Sequence, residues 1–272
     1  MVALLDQQWQ QGAGALLERG AAGGARAPVV VSLTSYPPRF ATLHLTLKSL
    51  LLQSLQPQRV ELWIAHADMA QLPPAVRALE AYGLQIKACD DLRSYKKLIP
   101  ALHEDSNVAI VTADDDIYYW PDWLRQLVEA QVPGQTEVIC HRMHRIRLGT
   151  DGLPLPYADW ELDARVAAAD ALHFPTGIGG VLYPAHVFPA TVFDRDAYTA
   201  LCPQGDDIWF FWMAGLGGAR FKRVAAVNRL HCWEGSQDSA LWQANLVGRY
   251  NDVQIQAMIG AYGFATVAKA AV

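Results

Sequence analysis

VAIVTADDDIYYWPDW, residues 108–123, decides how this chain is read. Val108 to Ala113 is an apolar run suited to a buried parallel strand, and it ends abruptly in Asp114, Asp115 and Asp116. Neighbouring carboxylates repel: two unit charges about 4 Å apart cost roughly 1 kcal/mol in water and about 4 kcal/mol at an effective dielectric near 20. A partly buried triplet therefore wants a cation. Mg²⁺ and Mn²⁺ take oxygen ligands and share one or two carboxylates with substrate phosphates. If the strand continues through the triplet, Asp114 and Asp116 project to one side and Asp115 to the other. Direct metal contact is then expected at Asp116, with Asp114 on the metal or a ribose. The three letters alone also fit a solvated acidic turn or a helix cap before Pro121, but such a turn need not follow a buried strand.

The segments upstream give that strand its setting. Val29 to Leu33 (VVVSL) is another buried-strand run, broken by the turn-forming TSYPPR. Leu43, Leu47, Leu50 and Leu51 lie at helical spacing within 40–55, and Arg59 to Ala65 (RVELWIA) is a second strand. A Pro-capped helix over 74–82, the strand LQIKAC and a helix over SYKKLIPAL follow. Strands alternating with helices predict an α/β fold with a mainly parallel, doubly wound sheet, whose ligands sit beyond the carboxyl ends of the strands. The aspartates fall at such an end. Beyond Trp120 the pattern is less regular: a helix over 123–130, a basic strand-like stretch VICHRMHRIRL, and a helix over 207–216. The expected organisation is an N-terminal extension (1–27), a domain over 28–250 with halves 28–120 and 121–250, and a C-terminal helix or tail (251–272).

Composition excludes several classes. With 272 residues, 52% hydrophobic and 18% charged, the chain is long enough for a real core and a cleft. A net charge of −5 argues against nucleic-acid binding, which needs a basic field to replace counterions. Cys89, Cys140, Cys202 and Cys232 are scattered, without structural-zinc spacing, which fits a reduced, cytoplasmic setting. No stretch approaches the roughly 20 apolar residues of a membrane span, although the chain could rest on a membrane surface.

Five motifs in order, VVVSLTSYPPRF, DLRSYKKL, VTADDDIYYWPDW, TGIGGVLYP and GDDIWFFWMAGLGG, resemble the GT-A glycosyltransferases, particularly bacterial family-2-like enzymes of surface-polysaccharide assembly. The resemblance runs from about Val29 to His231. It implies a GT-A fold with a nucleotide-binding half and a smaller acceptor half. It also implies an inverting transferase that moves a sugar from a nucleotide-diphosphate donor, a UDP-sugar by family habit, to a glycan or polyprenyl-linked glycan. The donor set it points to is Thr34, Ser35, Tyr36, Arg39, Asp91, Lys97, Asp114, Asp115, Gly179 and Gly180. Within that set Tyr36 stacks on the base, Arg39 and Lys97 meet phosphates with Lys96 as second candidate, and the glycines line the sugar. Asp116, Asp114 and His231 would hold Mn²⁺ or Mg²⁺. Asp207 would be the base, supported by Asp206.

Each position also has a plainer reading. Tyr36 can be an incidental aromatic in a proline-bounded turn, and Lys96 and Lys97 can be solvated. The glycines can serve a tight turn, His231 can be structural, and one of Asp206 and Asp207 can cap a helix. Arg142, Arg145 and Arg147 in HRMHRIR either receive a diphosphate, including that of a lipid-linked acceptor at the inner face of a membrane, or form a charged sheet edge. Two rival functions remain. One is a carbohydrate-binding or catalytically degenerate protein, with nine tryptophans and ten tyrosines as stacking platforms. The other is a metal-dependent phosphotransferase of the haloacid-dehalogenase type, whose nucleophilic aspartate also follows an apolar strand.

Overall fold

The computed structural model describes residues 1–22, 27–226, 230–236 and 250–264, with side chains given only to residue 17 in the first stretch. The chain separates into two compact units, Met1–Glu129 with Asn228–Ser239, and Ala130–Val227 with Ala240–Val272. The division therefore falls later than residue 120. It includes the N-terminal segment in the first unit and returns a short later segment to it.

In the first unit β1 (Ala27–Thr34), β2 (Pro57–Ala65), β3 (Leu84–Cys89) and β4 (Ala109–Ala113) form a parallel sheet in the order β4-β1-β2-β3. Val30, Val31 and Leu33 on the central strand are fully buried, as a parallel sheet covered on both faces requires. The crossover α2 (Phe40–Leu51) buries Leu43, Leu47, Leu50 and Leu51, the residues whose spacing marked it as a helix. It ends four residues before the expected boundary.

Two other expected helices are interrupted. The stretch 74–82 is α3 (Pro74–Arg77) followed by a 3₁₀ turn, Ala78–Tyr82, closed by Gly83 at φ 98°. SYKKLIPAL is a 3₁₀ turn, Arg93–Lys97, and then α4 (Ile99–Glu104). Pro100 explains the break, because it lacks an N–H and its ring clashes with the carbonyl four residues earlier unless it sits in a helix's first turn. After β4 come β5 (Ile117–Tyr118) and α5 (Trp123–Glu129).

The N-terminal segment is a long helix, α1 (Val2–Ala22), that joins the core of this unit. Leu5 is fully buried in a cluster with Leu45, Tyr118 and Trp233. The Tyr118 hydroxyl donates to Gln8 Oε1 at 3.1 Å, Asp6 pairs with Lys48 at 3.6 Å, and the Lys48 ammonium lies 5.5 Å from the Trp9 ring centroid. Tyr118 stands on the strand that follows the aspartates, so α1 supports that strand from behind.

The second unit contains β6 (Glu137–Cys140), β7 (Met143–Arg145), β8 (His173–Pro175), β9 (Val181–Tyr183), α6 (Arg195–Leu201), α7 (Asp206–Leu216), β10 (Arg220–Arg223) and α8 (Tyr250–Tyr262). β6 pairs parallel with β10 and antiparallel with β9, and β7 pairs antiparallel with β8. The basic stretch read as one strand is two, broken at His141 and Arg142. α7 is apolar all round because it is the core: Trp209, Phe210, Phe211 and Trp212 are all buried. The two indole N–H groups donate to the carbonyls of Val192 and Gly263, each at 3.1 Å, which removes the cost of burying them unpaired. Among the described residues no helix is long and apolar enough to cross a membrane.

If α1 is part of the first unit's core, Leu5→Ala lowers its stability by about 2–5 kcal/mol, read as the shift of the urea midpoint. A change below about 0.5 kcal/mol would make α1 a detachable extension.

Candidate functional site

In the first unit the candidate residues gather where β1 and β4 end side by side. Leu33 pairs with Ala113 in register, so Thr34 and Ser35 leave the sheet next to Asp114 and Asp115. The Thr34 hydroxyl donates to the Trp63 carbonyl at 2.8 Å and anchors the strand end. A 3₁₀ turn, Pro37–Arg39, follows, with proline supplying the fixed φ of its first position. This turn exposes Tyr36 and brings Arg39, 12% exposed at its side chain, back over the aspartates.

The strand does not continue through the triplet. β4 stops at Ala113 and Asp114 to Asp116 form a bend, so the period-two alternation expected from the sequence does not apply. Asp115 and Asp116, expected on opposite sides, share one guanidinium. Arg39 Nη1 donates to Asp115 Oδ1 at 3.0 Å and to Asp116 Oδ2 at 2.5 Å. The Ser35 hydroxyl donates to the other oxygen of Asp115 at 2.6 Å. Burial alone would lower the Arg39 pKa, but the two carboxylates outweigh it and hold the guanidinium firmly charged. Burial also pushes the Asp115 carboxyl up, against the pull of Arg39 and Ser35.

The bend is held through its backbone as well. Thr46 on α2 donates its hydroxyl to the Asp115 carbonyl at 2.9 Å and accepts the Trp233 indole N–H at 2.8 Å. The Trp233 backbone N–H reaches the Asp116 carbonyl at 3.0 Å, and the Asp114 N–H reaches the Tyr119 hydroxyl at 2.7 Å. Thr46, Tyr119 and Trp233 escaped sequence reading, because nothing in their local pattern marks a contact with the triplet.

The two lysines divide their work. Lys96, buried, donates to Asp91 Oδ1 at 2.8 Å. That hydrogen bond and the Arg93 backbone N–H lower the Asp91 pKa. Lys97, also buried, lies 3.8 Å from Asp114 Oδ1. Neither lysine is a solvated surface residue. On β11 (His231–Cys232), antiparallel to β5, His231 stands opposite Tyr118 and is exposed. At the neighbouring Cys232 burial raises the thiol pKa first, and Asp116 and Asp114 then add to it.

These residues can be weighed against a divalent cation. Among the described residues no group of three or more His, Cys, Asp and Glu side chains converges to hold an ion alone. The residues that could hold a divalent ion are Asp114 and Asp116, whose carboxylate oxygens are of the kind Mg²⁺ and Mn²⁺ take, although each already lies against a cationic side chain, Lys97 and Arg39.

In the second unit Gly205 is the residue before α7, and Asp206 and Asp207 are its first two residues rather than its caps. The Asp207 carboxylate accepts the Gly177 N–H at 2.8 Å, which ties it to the TGIGG loop. In that loop Gly179 and Gly180 have φ of 94° and 98°, and the Gly180 N–H closes a turn on the Gly177 carbonyl. Only glycine adopts such angles readily, so both are required by the turn itself. Arg142 donates to the Thr176 hydroxyl at 3.1 Å. Tyr157 is the neighbour that sequence reading missed: burial pushes its hydroxyl pKa up, Asp207 pushes it further and Arg142 pulls it back. Asp206 is buried, and it adds to the burial that raises the Cys202 thiol.

No protein-family model matches the sequence, and comparison with curated proteins finds no match. Comparison with solved structures does. The chain is similar to the 1–349 fragment of S. aureus TarS in complex with UDP, at 13% identity and a TM-score of 0.54, over 89% of this chain and 70% of that one. The crystal structure of the same fragment, reported without mention of a ligand, matches at 12% identity and a TM-score of 0.50, over 88% and 74%. At this identity the likeness is one of fold, and the chain has a GT-A-like α/β fold.

One titration in the second unit, that of His144, gives a stability signature. His144 stacks edge-on to Tyr157 at 5.5 Å, and its Nδ1 accepts the Asp163 N–H at 3.0 Å, which requires a neutral ring. Burial, then Arg142, lowers its pKa from 6.5 to about 4. Between those values the unfolded chain binds the proton and the folded chain does not. Stability is therefore intact above pH 6.5 and falls on the order of 3 kcal/mol as pH drops to 4. His144→Gln, whose amide oxygen can still accept the Asp163 N–H, should remove most of that loss in denaturation measured at both pH values. Equal losses in the two proteins would assign the titration elsewhere.

Proposed function

We propose that the chain is an inverting glycosyltransferase that moves a sugar from a nucleoside-diphosphate donor, a UDP-sugar, to a glycan or lipid-linked glycan. The observation that carries this reading is the acidic bend of Asp114, Asp115 and Asp116 at the carboxyl end of a parallel sheet, tied to Arg39 and Lys97. The GT-A-like fold supports it, as does the similar TarS fragment, which was crystallised with UDP.

In this reading the first unit holds the donor. Exposed Tyr36 stacks on the base and Asp91, set by Lys96, accepts from the ribose. Lys97 and Arg39 meet the diphosphate. Asp116 and Asp114, with His231 as an added ligand, would hold Mn²⁺ or Mg²⁺, which when bound neutralises charge on the departing diphosphate. The second unit activates the acceptor. Asp207, held by the Gly177 N–H, takes the proton of the acceptor hydroxyl while that oxygen bonds to the anomeric carbon. The bond from that carbon to the β-phosphate oxygen breaks on the opposite face, and the nucleoside diphosphate leaves with the electron pair. Gly179 and Gly180 let backbone approach the sugar, and Asp206 supports Asp207. The expected setting is cytoplasmic, with peripheral contact at a membrane when the acceptor is lipid-linked.

A second reading dispenses with the metal. Arg39 already serves two of the three carboxylates, and its Nε is buried with no hydrogen-bond partner among the described residues, a donor that a phosphate oxygen would satisfy. Turnover before and after chelation separates the two readings: loss favours the divalent ion, and persistence favours Arg39 and Lys97.

Asp207→Asn should lower transfer about 10²- to 10⁴-fold and leave UDP binding within a few-fold of wild type. A fully active variant would place the base elsewhere. A chain that binds UDP yet transfers no sugar from any donor tested would be the degenerate binding protein.

A further inference from the structure

A cleft in the second unit lies outside the donor and catalytic residues of the proposed function. It has a volume of about 560 Å³ and is lined by Arg145, Ile146, Arg147, Leu148, Glu161 and Leu172. Ile146 is buried between two exposed arginines, so Arg145 and Arg147 project from the same face of an extended segment. Among the described residues neither guanidinium makes a hydrogen bond or an ion pair. Glu161 faces them across a ladder in which Arg145 and Glu161 exchange backbone hydrogen bonds at 2.9 and 3.1 Å. The position of Ile146 is fixed by its N–H on the Leu172 carbonyl at 2.8 Å.

Three kinds of group therefore meet here. Two exposed guanidiniums can receive an anion and present the forked donors that suit a carboxylate or phosphate. A carboxylate beside them accepts from hydroxyls and repels a bare polyanion. Ile146, Leu148 and Leu172 offer apolar surface for a C–H face. A sugar bearing an acidic substituent combines all three. The place in the fold agrees with this. Arg145 is in register with His173 on β8, and the chain runs from His173 to Gly177, whose N–H holds Asp207. β8 covers only His173–Pro175 and Gly177 lies in a bend, so at roughly 3.3 Å per residue the four steps span at most about 13 Å. An extended saccharide with one end at Asp207 would reach the cleft further along its length.

We propose that this cleft is a subsite for an anionic substituent, carboxylate or phosphate, on an acceptor saccharide. Naming that saccharide the acceptor rests on the transferase reading; the binding itself does not. A merely charged sheet edge would hold a free anion as strongly as the sugar that bears the same group.

The test is calorimetry on the full chain at physiological salt with trigalacturonate, a glycerol-phosphate trimer and a neutral trigalactoside, and with acetate and inorganic phosphate as sugar-free anions, whose binding as tight as the anionic sugar's would overturn the subsite. At least one anionic probe should bind tenfold or more tighter than the neutral one, and the one that does identifies carboxylate or phosphate. The double variant Arg145→Gln, Arg147→Gln should lose that preference. Both side chains are exposed and unpaired, so its thermal midpoint should match wild type. No anionic preference in wild type, or one unchanged in the double variant, overturns the subsite. UDP binding measured on the same samples keeps the two readings apart, since its absence sinks the donor site and leaves the cleft's result standing.

Discussion

Three consecutive carboxylates can stand at the rim of a buried sheet only if positive charge is brought to them, and much of the first unit is arranged around that requirement. Arg39 binds Asp115 and Asp116, and Lys97 lies against Asp114. Ser35 donates to the Asp115 carboxylate, Thr46 and Trp233 donate to the Asp115 and Asp116 carbonyls, and Tyr119 accepts the Asp114 N–H. Burying an ion pair costs more than it returns unless its remaining donors and acceptors are satisfied, and removing one partner of such a pair costs several kcal/mol. The bend is therefore a poor place to store stability, and under the proposed function its charges serve a diphosphate instead. α1 belongs to the same arrangement, because its Leu5 packs on Tyr118 and Trp233 behind the two short strands that carry the bend and His231.

The second unit solves a smaller problem. Asp207 is held in one geometry by the Gly177 N–H and by its place in the first turn of α7, which is what the proposed base would need. The buried aromatic residues of α7, Trp209 to Trp212, anchor the helix whose first turn carries this carboxylate. The β7 and β8 ladder then links Asp207's surroundings to the Arg145 and Arg147 cleft through continuous backbone pairing.

Much of the fold was legible in residue order. β1 to β4 were visible as apolar runs bounded by turn residues and lie within a few residues of the expected limits, because a buried parallel strand writes itself locally. The α2 stripe was legible for the same reason. Pro100 could have warned that 94–102 would not be one helix. The candidate residues were legible as types, whereas their partners were not: Ser35 meets Asp115 across 80 positions, and Thr46 meets Trp233 across 187. The sequence reading took the unmet charge of the triplet as a call for an external cation. The structure adds Arg39, whose role depends on a turn that returns it over the bend. Tyr157 and Arg142 beside Asp207, and Cys232 beside Asp116, likewise become neighbours only through the fold.

The central claim is that the bend receives a nucleoside diphosphate together with a divalent ion. Calorimetric titration of UDP into the chain with Mn²⁺, repeated after EDTA and in Asp114→Asn, Asp116→Asn, addresses it directly. The account predicts saturable binding that weakens at least tenfold on chelation and comparably in the double variant. Binding of equal strength in all three conditions would contradict a metal-bridged donor site, and no binding in any of them would contradict the donor site itself.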